Sequence, residues 1–221
     1  MKRIVIVSSA HGFGHATRDA VLADTLWGRG HEVTQFTHVS PAVLGARHTV
    51  EFATTDVGFV QHHSLAENVP ATMNLLEERF GDAAVDALAR RFASFDLVIA
   101  DIPPTAMLAA KRAGVPCVAM GNFDWGWIYR EYASALDGVG VMDGGANAAE
   151  RLGLRTWAAR IGQIQREIPA ISLSPGSCGL AGFALTQHGG ILARSARPMR
   201  VAEVGVLVCF GGLGLEAIEA I

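Results

Sequence analysis

The sequence predicts an α/β protein built on a doubly wound, Rossmann-like parallel sheet, and three observations carry that prediction. Short apolar runs alternate along the chain with stretches of helical periodicity. The first run, Arg3 to Ser8, is continuously apolar, which is typical of a strand buried on both faces of a parallel sheet. Polar residues follow several runs directly, at the sheet edge where such folds bind ligands.

Six short segments are predicted as strands, at residues 3–8, 32–37, 49–53, 95–101, 116–120 and 204–210. Helices are predicted at residues 16–27, 65–93 with a break near Gly81, 103–113, 124–136 and 146–167. Gly28 and Gly30 are expected to end the first helix. The residues from His11 to His15 predict a glycine-rich loop between the first strand and that helix.

The domain organisation follows from these elements. Residues 1–167 are predicted to form one domain, the uncharged proline- and glycine-containing stretch 168–203 a linker, and residues 204–221 the start of a second α/β domain. A strand, a glycine loop and a helix start cannot bury a sheet of their own. We therefore expect the chain to be truncated relative to a two-domain protein.

Composition excludes several classes of protein. The chain of 221 residues is 50% hydrophobic and 18% charged, with a formal net charge of −3, which excludes disorder and a basic nucleic-acid footprint. Three scattered cysteines predict neither a disulfide framework nor a zinc site, and the short first apolar run is no signal peptide. We expect a cytoplasmic protein whose apolar excess is covered by a partner chain, a second copy or a peripheral membrane contact.

Candidate chemistry begins in the predicted loop. Gly12 and Gly14 let the backbone approach a ligand closely, and the helix that follows favours anions. The loop lacks the Gly-Lys-Ser/Thr ending of a P-loop, and Thr17 stands where a dinucleotide fingerprint has its third glycine. The two histidines, His11 and His15, instead predict proton transfer or the binding of sugar hydroxyls.

Other polar residues follow the predicted strands. Asp101 is a helix cap or a wall of the binding cleft, and the two readings are compatible. Asn122 and Asp124 begin an aromatic helix whose tryptophans either pack in the core or stack on a sugar ring. Arg18 either faces solvent or contacts a phosphate or carboxylate.

Two runs of sequence resemble one family. HGFGHATR, from His11, and IADIPPTAMLAAKRAGVPCVAMGNFDWGWIYREYA, from Ile99, are similar to the N-terminal domain of GT-B glycosyltransferase-like proteins. These include the glycosyltransferase-like region of L-arabinokinase and bacterial homologues. The resemblance covers most of residues 3–136 and is weaker near residues 192–204 and 209–215, where the donor domain of the family would begin.

The resemblance implies that two domains bind the two substrates separately. In GT-B enzymes the N-terminal domain mainly binds the acceptor, which is a small molecule or is linked to a lipid, and the C-terminal domain binds most of the nucleotide-sugar donor. Transfer usually needs no bound metal, so we expect no metal site and no cofactor beyond the donor substrate.

Residue roles carry over onto matching positions. His15 would be the general base on an acceptor hydroxyl or would orient that hydroxyl, with His11 as the alternative base. Substrate-binding roles are expected for Gly12, Phe13, Gly14, Arg18, Asp101, Asn122 and Asp124. Gly211, Gly212 and Gly214 match the donor-phosphate loop.

The leading functional prediction is a glycosyltransferase that moves a sugar from a nucleotide donor to an acceptor hydroxyl, active when paired with a donor domain. The alternatives are a non-catalytic sugar- or nucleotide-binding module and the N-terminal half of a sugar kinase. A nicotinamide-dependent oxidoreductase is disfavoured, because Thr37-His38 stands where an acid should end the second strand.

Overall fold

The computed structural model describes residues 1–63, 66–135, 147–173, 176 and 180–193. Within these residues the strands are Arg3–Ser8 (β1), Glu32–Thr37 (β2), Thr49–Phe52 (β3), Gln61–His63 (β4), Ala66–Glu67 (β5), Leu97–Asp101 (β6), Cys117–Gly121 (β7), Pro169–Leu173 (β8) and Leu185–Gly190 (β9). The α-helices are Gly12–Gly28 (α1), Pro41–Leu44 (α2), Val69–Arg79 (α3), Asp82–Phe92 (α4), Pro104–Ala113 (α5), Trp125–Ala135 (α6) and Ala148–Gln165 (α7).

Seven strands form one sheet in the order β3-β2-β1-β6-β7-β8-β9, and every neighbouring pair is parallel. The chain adds β2 and β3 on one side of β1 and then crosses to add β6 and the later strands on the other. The doubly wound α/β fold predicted from the sequence is therefore confirmed. Reversal of the strand order between β1 and β6 opens a crevice at their carboxyl ends.

Strand β1 lies at the centre of the core. Its residues Ile4 to Val7 are almost fully buried. Val5 and Val7 pack with residues of α4 and α5 on one face of the sheet, and Ile4 and Ile6 pack with Ala23 of α1 on the other. Burial on both faces is the physical reason for the continuous apolar run, since alternation would leave polar side chains inside.

Helix α1 begins four residues earlier than the sequence predicts. The segment predicted as a loop, His11 to His15, is the N-cap and first turn of this helix. Glycine has a low helix propensity, which is why the prediction started at Ala16. Packing of the buried Ala16 and Ala20 against the core outweighs that cost. His15 consequently projects from the first turn of a helix rather than from a loop.

The remaining helices follow their predicted signals. Gly81 separates α3 from α4, and α5 begins at Pro104 and ends at Gly114, which has a positive φ of 69°. Asn147 and Glu150 form a capping box at the start of α7. The one-turn helix α2 was not predicted.

Residues 168–203, predicted as a linker, contribute two further strands in their described part. β8 pairs with β7, and β9 pairs with β8 at the edge of the sheet. Proline, glycine and polar residues interrupt this stretch, so its strands have no clear periodicity, and pairing with β7 determines their structure. The predicted second domain, residues 204–221, lies outside the described residues. No helix in the described part of the chain is long and apolar enough to cross a membrane.

Two glycines on the packed helices α6 and α7 should respond oppositely to alanine. A Cβ at Gly126 would lie 3.2 Å from Ile161 Cγ2 and 3.3 Å from Ala158 O, whereas a Cβ at Gly162 would meet nothing within 4 Å. Gly126→Ala should lower the free energy of unfolding by about 1–3 kcal/mol through overpacking. Gly162→Ala should raise it by roughly 0.5–1 kcal/mol. Urea unfolding measures both, and equal effects would contradict this packing.

Candidate functional site

Three neighbouring strands bring their carboxyl ends to the same place. Ser8 at the end of β1 lies in register with Asp101 at the end of β6, and β7 ends beside them at Gly121. The first turns of α1 add His15 and Arg18 to this edge. The convergence of polar residues that the sequence predicts is present at the point where the strand order reverses.

Asp101 is the centre of the cluster. Its carboxylate is completely buried and receives two hydrogen bonds from Arg18, from Nε to Oδ2 at 2.8 Å and from Nη2 to Oδ1. His15 Nδ1 lies 3.0 Å from Oδ2. Burial opposes the charged form, but the interactions with His15 and Arg18 outweigh it and hold the pKa of Asp101 below its ordinary value. Asp101 is therefore an ionised carboxylate with no access to water.

The guanidinium of Arg18 forms its hydrogen bonds with residues inside the protein. Its Nη1 donates to Asn122 Oδ1 at 2.5 Å, and Asn122 Nδ2 donates to the carbonyl of Leu173 at the end of β8 at 2.9 Å. The Arg18 side chain is 17% exposed. The guanidinium of Arg18 contacts the carboxylate of Asp101 and the side chain of Asn122 inside the protein, and its contact with a substrate group stays a prediction.

The surroundings of His15 determine which ring nitrogen carries the proton. Nδ1 faces the carboxylate of Asp101, which can only accept, and also lies 3.1 Å from Arg18 Nη2. The charge-assisted bond to the carboxylate is the stronger of the two, so Nδ1–H donates to Asp101. Nε2 then carries the lone pair, and it has no hydrogen-bond partner in the described chain. Phe123 packs edge-on against the ring, with a centroid distance of 5.7 Å.

His11 is held in the wall beside this cluster. Its Nε2 lies 3.2 Å from the carbonyl of Val57, and its ring packs on Trp125 at a centroid distance of 4.7 Å. Gly58, with a φ of 57°, makes this possible because a Cβ there would lie 1.6 Å from His11 Nε2. Since the carbonyl requires Nε2–H, that nitrogen is not available as a base.

Asp56 was missed by the sequence analysis. Its buried carboxylate accepts from Ser9 Oγ at 2.5 Å, from the backbone N–H of Ala10 at 2.8 Å and from Trp125 Nε1 at 3.0 Å. These bonds fix the turn between β1 and α1. The signal was available, because Asp56 follows the carboxyl end of β3 as Asp101 ends β6.

A second buried acid, Asp19, was also missed. Ser8 Oγ donates to Asp19 Oδ2 at 2.7 Å, Gln35 Nε2 donates to Ser8 Oγ at 2.9 Å, and His48 Nε2 lies 2.9 Å from Gln35 Oε1. Burial, together with the negative charge of Asp101, raises the pKa of Asp19 well above its ordinary value. Its signal was its place three residues after Ala16, on the face of α1 that packs on the sheet.

The backbone is strained directly after Asp101. Ile102 has a φ of 66°, in the left-handed region that β-branched residues avoid. The residue is buried, and a Cβ at Gly121 would approach its Cγ2 to 2.5 Å. Strain of this kind costs roughly 1–3 kcal/mol and clusters at functional sites. The strained backbone of Ile102 is a second, independent observation that indicates a functional site at the end of β6.

The other predicted site residues are distributed differently. Gly12 begins α1, Phe13 is 57% exposed, and a Cβ at Gly14 would meet nothing within 4 Å, so this turn presents open surface. Asp124 makes its described hydrogen bonds away from Asp101. It accepts from Trp127 N and from Gln165 Nε2, both at 2.9 Å, and burial raises its pKa.

Two predictions about the site stay predictions. The glycine loop of Gly211, Gly212 and Gly214 lies outside the described residues. Among the residues that the structure does describe, no group of three or more His, Cys, Asp or Glu side chains is placed to hold a metal ion.

The described residues form an α/β, Rossmann-like fold that matches GT-B glycosyltransferase structures. Among solved structures, the chain is similar to UGT2 of Phytolacca americana in complex with UDP-2-fluoro-glucose and pterostilbene, with 14% identity and a TM-score of 0.52 over 88% of this chain and 54% of that one. It is also similar to a UDP-glucosyltransferase of Polygonum tinctorium, with 16% identity and a TM-score of 0.50 over 89% of this chain and 54% of that one.

Among characterised sequences, the chain is 30% identical to L-arabinokinase of Arabidopsis thaliana in an alignment of 141 residues that covers 58% of this chain and 13% of that protein. No protein-family profile matches the sequence. The resemblance stated above is confirmed at the level of the fold. The chain spans about half the length of the glycosyltransferases and a small part of L-arabinokinase.

Two aspartates of α1 should change stability in opposite directions. Asp19 has a raised pKa, so its ionisation destabilises the fold as pH rises above about 3.9, the unfolded value. Asp19→Asn keeps the acceptor for Ser8 and should raise the free energy of unfolding near neutral pH, with a gain that grows as pH rises.

Asp24 is the matched control. Despite some burial, hydrogen bonds from His48 and from the backbone of Arg47 lower the pKa of Asp24, so its stabilising effect is present above the unfolded value and is lost in acid. Asp24→Asn should therefore destabilise near neutral pH. Urea unfolding at several pH values tests both, and a loss of stability in Asp19→Asn that grows with pH would contradict the assignment.

Proposed function

We propose that the whole protein transfers a sugar from a nucleotide-sugar donor to an acceptor hydroxyl, with His15 as the general base. One observation carries the proposal: His15 Nδ1 lies 3.0 Å from the buried carboxylate of Asp101, while Nε2 has no partner in the described chain. A histidine held in this way has one nitrogen committed to an acid and the other free to accept a proton.

The reaction follows from that arrangement. As the acceptor oxygen attacks the anomeric carbon of the donor sugar, its proton passes to His15 Nε2. The bond between that carbon and the diphosphate oxygen breaks, and its electron pair leaves with the nucleotide. The imidazolium that forms carries its second proton toward Asp101, whose negative charge stabilises it.

Arg18 and Asn122 act through Asp101. The bidentate contact of Arg18 fixes both carboxylate oxygens, and Asn122 ties Arg18 to the end of β8. These are positioning residues, because their donors are used inside the protein. Their effect is to hold the His15 ring at one orientation, which is the requirement for proton transfer in a bound complex.

The leaving diphosphate needs positive charge nearby. The N-terminus of α1 has neither a side-chain cap nor an acidic residue in its first turn, and a Cβ at Gly14 would meet open space there. Free backbone N–H groups and the helix dipole favour an anion at such an end. By resemblance, Gly211, Gly212 and Gly214 would contribute to the same diphosphate from the donor side.

The exposed side chain of Phe13 would contact an apolar part of the acceptor, next to the polar cluster. It is 57% exposed on the same first turn as His15. Hydroxylated acceptors with an apolar body fit this pairing of Phe13 with His15.

The test is a nucleotide-release assay with the whole gene product, a panel of nucleotide sugars and hydroxylated acceptors. Release that depends on an acceptor is expected. His15→Ala should lower turnover by at least about 100-fold, because general-base catalysis contributes that much or more. His11→Ala should reduce turnover less, since its Nε2 is engaged by Val57.

The matched control is His62→Ala, which removes an exposed histidine outside the cluster. It should leave turnover unchanged. Equal turnover in His15→Ala and His62→Ala would refute the role of His15. Binding of a nucleotide sugar without acceptor-dependent release would refute transfer and favour a non-catalytic binding module.

A further inference from the structure

A second groove lies between α6, α7 and the short 3-10 turn Leu180–Gly182, which precedes β9. Its volume is about 830 Å³, within the range of small-molecule sites. None of His15, Arg18, Asp101 and Asn122 lines it. The groove is therefore separate from the cluster around Asp101, and it plays no part in the glycosyl transfer proposed for His15.

Gln165 contributes a hydrogen-bond acceptor to this groove. The residue is 3% exposed, and its Nε2 donates to Asp124 Oδ1 at 2.9 Å, which fixes the orientation of the carboxamide. Oε1 accepts no hydrogen bond from any described residue, and a Cβ at Gly182 would lie 3.3 Å from it. The groove thus offers a fixed acceptor to a ligand hydroxyl.

The charge of the groove favours an anion. Arg130, Arg155 and Arg166 line it, and Asp124 is the single acid among its described lining residues. Arg130 also pairs with Glu131 at 3.5 Å, and Arg155 donates to the carbonyl of Ala133 at 3.4 Å. The carboxylate of Asp124 already accepts hydrogen bonds from Gln165 and from the backbone of α6. Arginine forms paired hydrogen bonds with phosphate and carboxylate groups. The rim therefore suits a ligand with one such group.

The walls of the groove suit a ring. Trp127 lines one side, and the small residues Ala158, Ala159 and Gly162 of α7 line the other. An indole face is a large apolar surface on which the apolar face of a sugar can pack. The small residues leave room for the ring, and a Cβ at Gly162 would meet nothing within 4 Å.

We propose that this groove binds a sugar that carries a phosphate or carboxylate group. The ring packs on Trp127, a hydroxyl donates to Gln165 Oε1, and the anionic group binds the arginines. The probes are glucose 1-phosphate and glucuronate, with glucose and inorganic phosphate as their separate parts. In isothermal titration calorimetry, glucose 1-phosphate or glucuronate should bind at least about tenfold more tightly than either part. The better of the two identifies the anionic group.

Variants locate the binding. Gly162→Phe fills the groove and Arg166→Glu reverses its charge, and each should weaken binding at least about tenfold. Arg90→Glu makes the same charge change at an exposed position of α4 outside the groove. This control should bind like the wild type, as should His15→Ala. Thermal unfolding verifies that each variant is folded.

Three results would overturn the proposal. The first is the absence of binding by both glucose 1-phosphate and glucuronate. The second is equal affinity for inorganic phosphate, which would reduce the groove to an anion site. The third is binding that His15→Ala abolishes while Gly162→Phe leaves it unchanged, which would assign the ligand to the cluster at Asp101.

Discussion

The buried ion pair between Arg18 and Asp101 is the interaction on which the rest of the site depends. It joins α1 to the end of β6, and through Asn122 it reaches the ends of β7 and β8. Removing a carboxylate and a guanidinium from water is expensive, and a buried pair often adds little net stability over apolar packing. Its evident effect is geometric: it fixes Asp101, and Asp101 fixes His15.

Two acids share this buried region in different states. Asp101 is held ionised by Arg18 and His15, whereas burial and the negative charge of Asp101 raise the pKa of Asp19 despite the charge of Arg18. The same buried region therefore shifts the pKa values of two carboxyl groups in opposite directions, as is common where a site needs one defined charge. The strained backbone at Ile102 adds to the free-energy cost of the structure at the end of β6. Both features concentrate where the strand order reverses.

Much of the fold was predictable from the sequence. β1 was predicted with its observed bounds from its continuous apolar run, and β2 was also predicted with its observed bounds. The start of α1 was not, because Gly12 and Gly14 have low helix propensity and only packing of the helix on the sheet overrides it. The strands β8 and β9 were hidden in a stretch without periodicity, where pairing with β7 decides the structure.

The site was predictable to the extent that strand ends converge. His15, Arg18, Asp101 and Asn122 were predicted and do lie together, because polar residues after parallel strands share one edge. Asp124 follows the same strand as Asn122, yet it caps α6 instead. Asp56 and Asp19 contact their partners across 46 and 11 residues of chain, and such pairings are set by the tertiary fold.

The central claim is that Asp101 orients the His15 ring so that Nε2 is the proton acceptor. Nitrogen-15 NMR of the histidine side chains measures this directly, with His15→Gln used to assign the signal. The account predicts a neutral His15 ring protonated at Nδ1, with a lone pair at Nε2, and loss of that preference in Asp101→Asn. A ring protonated at Nε2, or a tautomer unchanged by Asp101→Asn, would contradict it.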